Sequence, residues 1–441
     1  MSEKIKTQSK ILEKLNIEKL NPMQEQAQFA IHSNNHTVLL SPTGTGKTLA
    51  YLLPIIAEMS RDINGVQALI LVPSRELAIQ IEQVIREMGT GFKANAVYGG
   101  RSISKDKVEL KHIPSIIIGT PGRVADHIRR QTFGTETIEM LILDEFDKSL
   151  EVGFENEMVD IISALPSVKK KILTSATFNV IIPKFVGLKD SKTLNFLTNE
   201  TPKLDLKTIL SPDKDKLDTL VKLLDKIGDQ PGIVFCNFKD SIQRISDYLF
   251  DNNISHECFY GGMEQKDREQ ALIKFRNSTH QLLIATDLAA RGIDVPEIKF
   301  IIHYHLPIKA HEFTHRNGRT ARMHSEGTAY ILQYEDEYLP DFIDSLNPQS
   351  MYVESVEQYS DGDNIKWTTL FISGGRKNKI SKGDIAGLFL KQGELQKDDL
   401  GLIELKQDCA FVAVNSSKVD RLIHLVNNYR LKKKKVRVRM T

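Results

Sequence analysis

Ser41, Pro42, Thr43, Gly44, Thr45, Gly46, Lys47 and Thr48 follow a short apolar run and precede a helical stretch that starts near Leu49. A glycine-rich turn between a strand and a helix wraps its backbone N–H groups around phosphate oxygens, with the helix N-terminus behind them. In that arrangement Lys47 meets the β- and γ-phosphates of a nucleotide, and Thr48 meets a magnesium ion. The strict pattern has glycine where this chain has Ser41, a residue small enough for the turn.

Downstream, another apolar run ends in Asp144, Glu145, Phe146 and Asp147. A carboxylate at the position of Asp144 can hold magnesium beside the loop through water, and Glu145 can then orient and deprotonate an attacking water. Acidic residues after a strand often only begin a helix. Paired with a phosphate loop, they predict nucleoside triphosphate hydrolysis with Mg2+.

Both motifs need a rigid sheet to present them. The runs 38–40, 68–72, 116–118, 140–143 and 172–173 read as strands buried on both faces, and 75–88 reads as a helix with Leu77, Ile81, Val84 and Ile85 on one side. Such alternation predicts an α/β fold with a parallel sheet. The pattern restarts after a polar stretch at 198–210, with strands at 232–236, 282–286, 300–303 and 328–332. A polar, acidic stretch at 350–364 marks a second break. Beyond it the elements run βαββαβ, the order of an RNA recognition motif. The expected boundaries are 1–205 and 206–350 for the two lobes, 351–364 for a linker and 365–441 for a small α+β domain.

Composition fits this division. The 441 residues carry a net charge of only +2, yet residues 365–441 hold 17 Lys and Arg against 7 Asp and Glu, leaving 42 against 50 in the rest. An acidic body with a strongly basic tail is expected of a nucleic-acid partner. Cys236, Cys258 and Cys409 lie far apart with no CxxC spacing, so neither a disulfide framework nor a structural zinc site is implied. No apolar run approaches the ~18 residues of a membrane span, and the N-terminal residues lack a signal-peptide core. A soluble, cytoplasmic protein that is monomeric and free of membrane is expected.

The chain resembles the DEAD-box RNA helicases through motifs in that family's order. These are PSREL at 73–77, Gly99-Gly100, TPGR at 120–123, DEFD at 144–147, SAT at 175–177, IVFCN at 233–237, Gln265 with Arg268, ATDLAARGID at 285–294 and HRNGRTAR at 315–322. The resemblance implies two tandem RecA-like lobes, ATP as the nucleotide, and RNA as the partner. It implies that Arg319 and Arg322 act as arginine fingers on the γ-phosphate, that Asp294 contacts the ribose, and that Ser175, Thr177, Asp147 and His315 couple hydrolysis to closure. RNA contacts would come from Arg75, Gly100, Thr120, Arg123, Gln265, Arg268 and Thr286. Such groups suit sugar and phosphate, which hold a strand without reading its sequence. Two departures stand out. Phe146 replaces the family's alanine, and the adenine-reading segment keeps Gln24 while lacking the usual glycine and aromatics around it.

The tail resembles the C-terminal domain of DbpA-type helicases, which implies ribosomal RNA, and ribosomal precursor particles, as the target. Aromatics on the two central strands of an RNA recognition motif stack bases; here Phe371 and Phe411 are read instead as core residues. The basic loop Arg376, Lys377 and Lys379, with the cationic run at 432–439, is then the better RNA surface. Two other functions share these motifs. An ATP-gated RNA clamp would separate strands little, and a DNA helicase would be stimulated by DNA.

Overall fold

The computed structural model describes residues 7–42, 44–151, 153–176, 182–197, 204–287, 298–320, 327–359 and 366–441. The chain divides into two compact units near residue 201.

In the first unit, β1 (His36–Leu40), β2 (Ala68–Leu71), β3 (Ala94–Val97), β4 (Ile116–Gly119), β5 (Met140–Leu143), β6 (Lys170–Ser175) and β7 (Lys192–Asn195) form one sheet. Their order is β3-β4-β2-β5-β6-β1-β7, and every pairing is parallel. The apolar runs explain this. Side chains alternate across a strand, so Ile70, Ile118 and Ile142 pack with Leu52, Ile55 and Ile81 on one face. Leu69, Ile117 and Leu141 pack with Val124, Met158 and Ile161 on the other. A sheet covered on both sides needs the near-continuous aliphatic strands seen in the sequence.

The second unit repeats the plan. The strands β8 (Leu204–Ser211), β9 (Gly232–Cys236), β10 (Glu257–Phe259), β11 (Leu282–Thr286), β12 (Phe300–His303), β13 (Gly327–Tyr334) and β14 (Gln349–Tyr352) pair in the order β10-β11-β9-β12-β13-β8-β14. The two polar stretches read as breaks each run into a strand of this sheet. β8 lies between β13 and β14, and β14 forms its outer strand. β14 is polar because it is an edge with little burial, and just past it two single valines, Val353 and Val356, anchor the chain in the core. Gln358 and Tyr359 then bond to Asp225 and Lys226 backbone carbonyls.

The same unit carries the small C-terminal domain. Its strands β15 (Trp367–Ile372), β16 (Leu400–Leu405), β17 (Ala410–Asn415) and β20 (Val438–Met440) form an antiparallel sheet in the order β16-β17-β15-β20. A short hairpin, β18 (Arg430–Leu431) and β19 (Lys434–Lys435), precedes the last strand. Leu370, Ile372, Val412 and Val414 face the helices and fill the core with Ile385, Phe389 and Leu422. By alternation Phe371 and Phe411 therefore lie on the opposite face. They are not core residues, contrary to expectation, and meet edge to face at 5.7 Å with the Arg439 guanidinium over Phe371. Among the described residues no helix is long and apolar enough to cross a membrane.

Candidate active site

All strands of the first sheet run the same way, so their carboxyl ends share one edge. The motif-bearing strands β5, β6 and β1 are adjacent there, as are β3, β4 and β2. Neighbours in space are thus assembled from segments far apart in sequence, at the edge where open α/β sheets bind ligands.

The phosphate loop leaves β1 at Ser41, whose N–H donates to the Ser175 carbonyl at the end of β6. Ser41 Oγ and Thr45 Oγ1 lie 2.8 Å apart, and Thr45 Oγ1 donates to the Pro42 carbonyl. The serine in place of glycine is therefore a cross-link inside the loop. Gly46 has φ +85°, and a Cβ there would run into the Gln24 amide. Gln24 bonds through Nε2 to the Gly46 carbonyl at 3.3 Å and through Oε1 to the Asn21 N–H, while Asn21 Nδ2 donates to the Thr45 carbonyl. The adenine-reading segment is thus fastened to the loop. With both ends of its amide engaged, Gln24 would take an adenine edge by exchanging the Gly46 bond.

Lys47 is buried, with Nζ donating to the Ser41 and Pro42 carbonyls at 2.7 and 2.8 Å. Burial brings its pKa down to about 8, against the pull of Glu145 and Asp144. Asp144, at the end of β5, is also buried. It accepts from Tyr51 Oη at 2.8 Å and from Thr174 Oγ1. Burial first and the Glu145 charge second push its carboxyl above the usual range. Glu145 sits at φ +49°, a sparsely populated conformation for a residue with a side chain. Its N–H bonds to Thr174 Oγ1 at 3.1 Å, and its Oε1 lies 2.9 Å from the Nζ of the buried Lys148. Phe146 is absorbed in the core cluster under β5, so its bulk lies away from the carboxylates. Asp147 and Ser175 are buried beside them.

Hydroxyl and carboxylate oxygens at Thr48 and Asp144 are the hard donors that magnesium takes. The sparse protein set suits an ion that completes its shell with phosphate and water. Among the described residues there is no cluster of three His, Cys, Asp or Glu that would hold a metal alone.

On the neighbouring stretch of edge, Arg75 begins the Arg75–Met88 helix after β2, capped by Ser74. Gly100 has φ +88°, and a Cβ there would strike the Arg75 guanidinium. Thr120 stands at the N-cap position of the Pro121–Arg129 helix after β4, with no side-chain bond to the helix N-terminus. Arg123 is turned inward: it donates to the Tyr98 carbonyl at 3.0 Å and to the Arg101 carbonyl. The buried Asp106 gathers Arg101, Arg123 and His127. The geometry thus gives Arg123 the task of shaping the 98–101 loop.

In the second unit, Gln265 and Arg268 lie on the Gln265–Arg276 helix, with Arg268 over the Phe259 ring at 4.7 Å. Thr286 ends β11. His315 lies on the Ala310–Asn317 helix, and Arg319 is buried just after it. Thr43, Thr177, Asp294 and Arg322 lie outside the described residues. The residue that sequence reasoning missed is Arg316. It forks onto Asp287 at 2.7 and 2.5 Å, donates to Asn237 Oδ1 and to the His305 carbonyl at 2.8 Å, and stacks on Phe235. One buried guanidinium ties together the carboxyl ends of β9, β11 and β12. Nothing in the motif string separates it from its two arginine neighbours; its fork onto Asp287 shows the role. Arg316→Ala is expected to cost about 3–5 kcal/mol, because it strands Asp287, and to remove RNA-stimulated activity. Denaturant unfolding checks this, and a loss under 1 kcal/mol would mean the network is ornamental.

In the tail, the Arg376–Asn378 turn is pinned by the Arg376 and Lys377 N–H groups to the Lys406 and Gln407 carbonyls. Lys434 Nζ reaches Asn378 Oδ1 at 3.4 Å, so the basic loop and the basic hairpin converge. Lys377 pairs with Asp408, and Lys432 with Asp384, whose carboxyl it holds down to about 2.

Three family models match successive parts of the chain. The DEAD/DEAH box helicase family matches residues 21–184, the helicase conserved C-terminal domain 215–324, and the DbpA RNA binding domain 369–440. The chain is similar to the ATP-dependent RNA helicase DbpA of Bacillus subtilis, at 30% identity over 97% of this chain and 96% of that one. It is 29% identical to the DbpA of Escherichia coli, over 96% and 94%. Its fold matches S. cerevisiae Dbp5 bound to RNA and ADP BeF3 with a TM-score of 0.69, at 24% identity, over 78% of this chain and 93% of that one.

Proposed function

The chain belongs to the DEAD-box family of ATP-dependent RNA helicases, and on that premise we propose that it opens short RNA duplexes beside a structured ribosomal RNA held by its C-terminal domain. Hydrolysis of ATP stimulated by RNA is the activity of the family. The observation that carries the finer reading is the convergence of two cationic segments, 376–379 and 432–435, on one side of the tail domain. A surface of that kind binds phosphate through counterion release, and the likeness of residues 369–440 to the DbpA RNA binding domain supports a ribosomal target.

Each residue then has a task. The 41–48 loop receives the triphosphate, and Lys47 exchanges carbonyl partners for phosphate oxygens. Thr48 and Asp144 would hold magnesium, which neutralises phosphate charge when bound. Glu145, whose Oε1 lies 2.9 Å from Lys148 Nζ, orients the attacking water and takes its proton. Arg75, Gly100 and Thr120 offer a guanidinium, an open backbone and a hydroxyl to an RNA backbone, while Arg123 keeps their loop in shape. The protein acts as a monomer in the cytoplasm, on precursor particles of the ribosome.

A short duplex joined to a ribosomal hairpin should be separated by protein and ATP much faster than it melts alone, and faster than the same duplex on an unrelated RNA. ATP-dependent RNA retention with no separation would instead assign the chain a clamping role.

A further inference from the structure

The open face of the C-terminal sheet is not solvent. Thr369, on that face of β15, is fully buried, and its Oγ1 lies 3.1 Å from Asn277 Nδ2 and 2.6 Å from Thr279 Oγ1. Both partners come just after the end of the Gln265–Arg276 helix of the second lobe. Beside them Arg276 Nη2 donates to both Glu404 carboxylate oxygens at 2.9 Å. Lys406 Nζ lies 3.0 Å from Glu404 and 3.7 Å from Glu269 on the same helix. Burial would raise the Glu404 carboxyl, yet Lys406 and Arg276 outweigh it and hold it below the usual range.

We propose that this face is a dedicated intramolecular docking surface, which makes the C-terminal domain a fixed extension of the second lobe. The contact occupies the rows of the sheet around Phe371 and Phe411, with Glu404 opposite Phe411 and Thr369 two residues before Phe371. Its composition is polar and charged, as in interfaces between domains that stay soluble apart. The seat is therefore salt-sensitive and reversible. The convergent cations at 376–379 and 432–435 belong to loops outside this contact, so docking leaves them open to a ligand. Resting on the proposed role of those cations in holding RNA, docking sets that RNA at a constant place relative to Gln265 and Arg268, which lie on the docked helix itself. A tethered domain would raise only the local concentration of RNA; a seated one also fixes its direction.

Two substitutions in the full chain break the seat from opposite sides. Arg276→Glu sets a second acid against Glu404, and Thr369→Arg places a long cation on a face that is accessible in the undocked domain. Small-angle scattering of each should give a larger radius of gyration than the native chain, as should raising salt on the native chain. Both variants should separate a duplex joined to a ribosomal hairpin more slowly, on the order of tenfold, with hairpin affinity within about twofold of native. An unchanged radius in both variants would overturn the proposal. So would a loss of hairpin affinity as large as that caused by removing residues 366–441, because the face would then be an RNA site. If that removal itself leaves hairpin affinity intact, the RNA-holding role of the tail has failed, while the scattering result still decides the docking.

Discussion

Glu145→Gln is expected to bind ATP as the native chain does and to hydrolyse it about 10²–10⁴ times more slowly at saturating RNA. The substitution keeps shape and removes one thing, a carboxylate able to accept a proton from water. The surroundings support so specific a loss. The Glu145 backbone is set by its N–H bond to Thr174 Oγ1 and by the left-handed turn at φ +49°, and neither depends on the side-chain charge. Asp144 keeps Tyr51 and Thr174 as donors. Lys148 loses an ionic partner and keeps an amide oxygen as acceptor. Single-turnover hydrolysis together with a nucleotide-binding titration separates the two effects. Turnover within a few-fold of native would remove Glu145 from the chemistry.

Lys47→Ala should act earlier in the cycle, on binding. A buried ammonium meeting phosphate oxygens contributes about 1.5–3 kcal/mol through charge-assisted bonds, so ATP affinity should fall by about 10–100-fold. Lys47 now satisfies the carbonyls of Ser41 and Pro42, and alanine takes that donor from both, leaving Pro42 only the Thr45 hydroxyl. The loop should therefore also loosen, and ADP affinity should drop with that of ATP. Calorimetric titration with each nucleotide checks this. Unchanged affinity with lost turnover would mean that Lys47 acts only on the transferring phosphoryl group.

The sequence was most legible where burial and chemistry coincide. Runs such as 68–71 and 116–119 have one solution, a strand buried on both faces, and the loops that leave them inherit fixed places on the sheet edge. The order of the C-terminal elements was readable for the same reason. Legibility failed where a residue's partner, and not its own type, decides. β14 is a polar edge strand with no alternation to betray it, and only Val353 and Val356 show that the chain has not left the second lobe. Phe371 and Phe411 are apolar, but Leu370 and Ile372 hold the core side of β15, and Ala410 and Val412 that of β17. Arg316 and Arg123 look like ligand-binding arginines and are spent on backbone carbonyls and buried carboxylates. The seat of the tail on the second lobe depends on Thr369 and Asn277, two residues that carry no motif.

The central claim is that the two lobes perform RNA-stimulated hydrolysis without regard to base order, and that the tail chooses the RNA. The most direct measurement is ATPase rate against RNA concentration, with ribosomal RNA and with an unrelated RNA, for the whole chain and for a chain ending at Tyr359, whose N–H bonds to the Lys226 carbonyl of the second lobe. The whole chain should reach half-maximal rate at a lower concentration of ribosomal RNA than of unrelated RNA. The shortened chain should keep its maximal rate and give two coincident curves, both displaced to higher concentration. If shortening displaces both curves equally and leaves the gap between them unchanged, selectivity lies in the lobes and the claim is wrong.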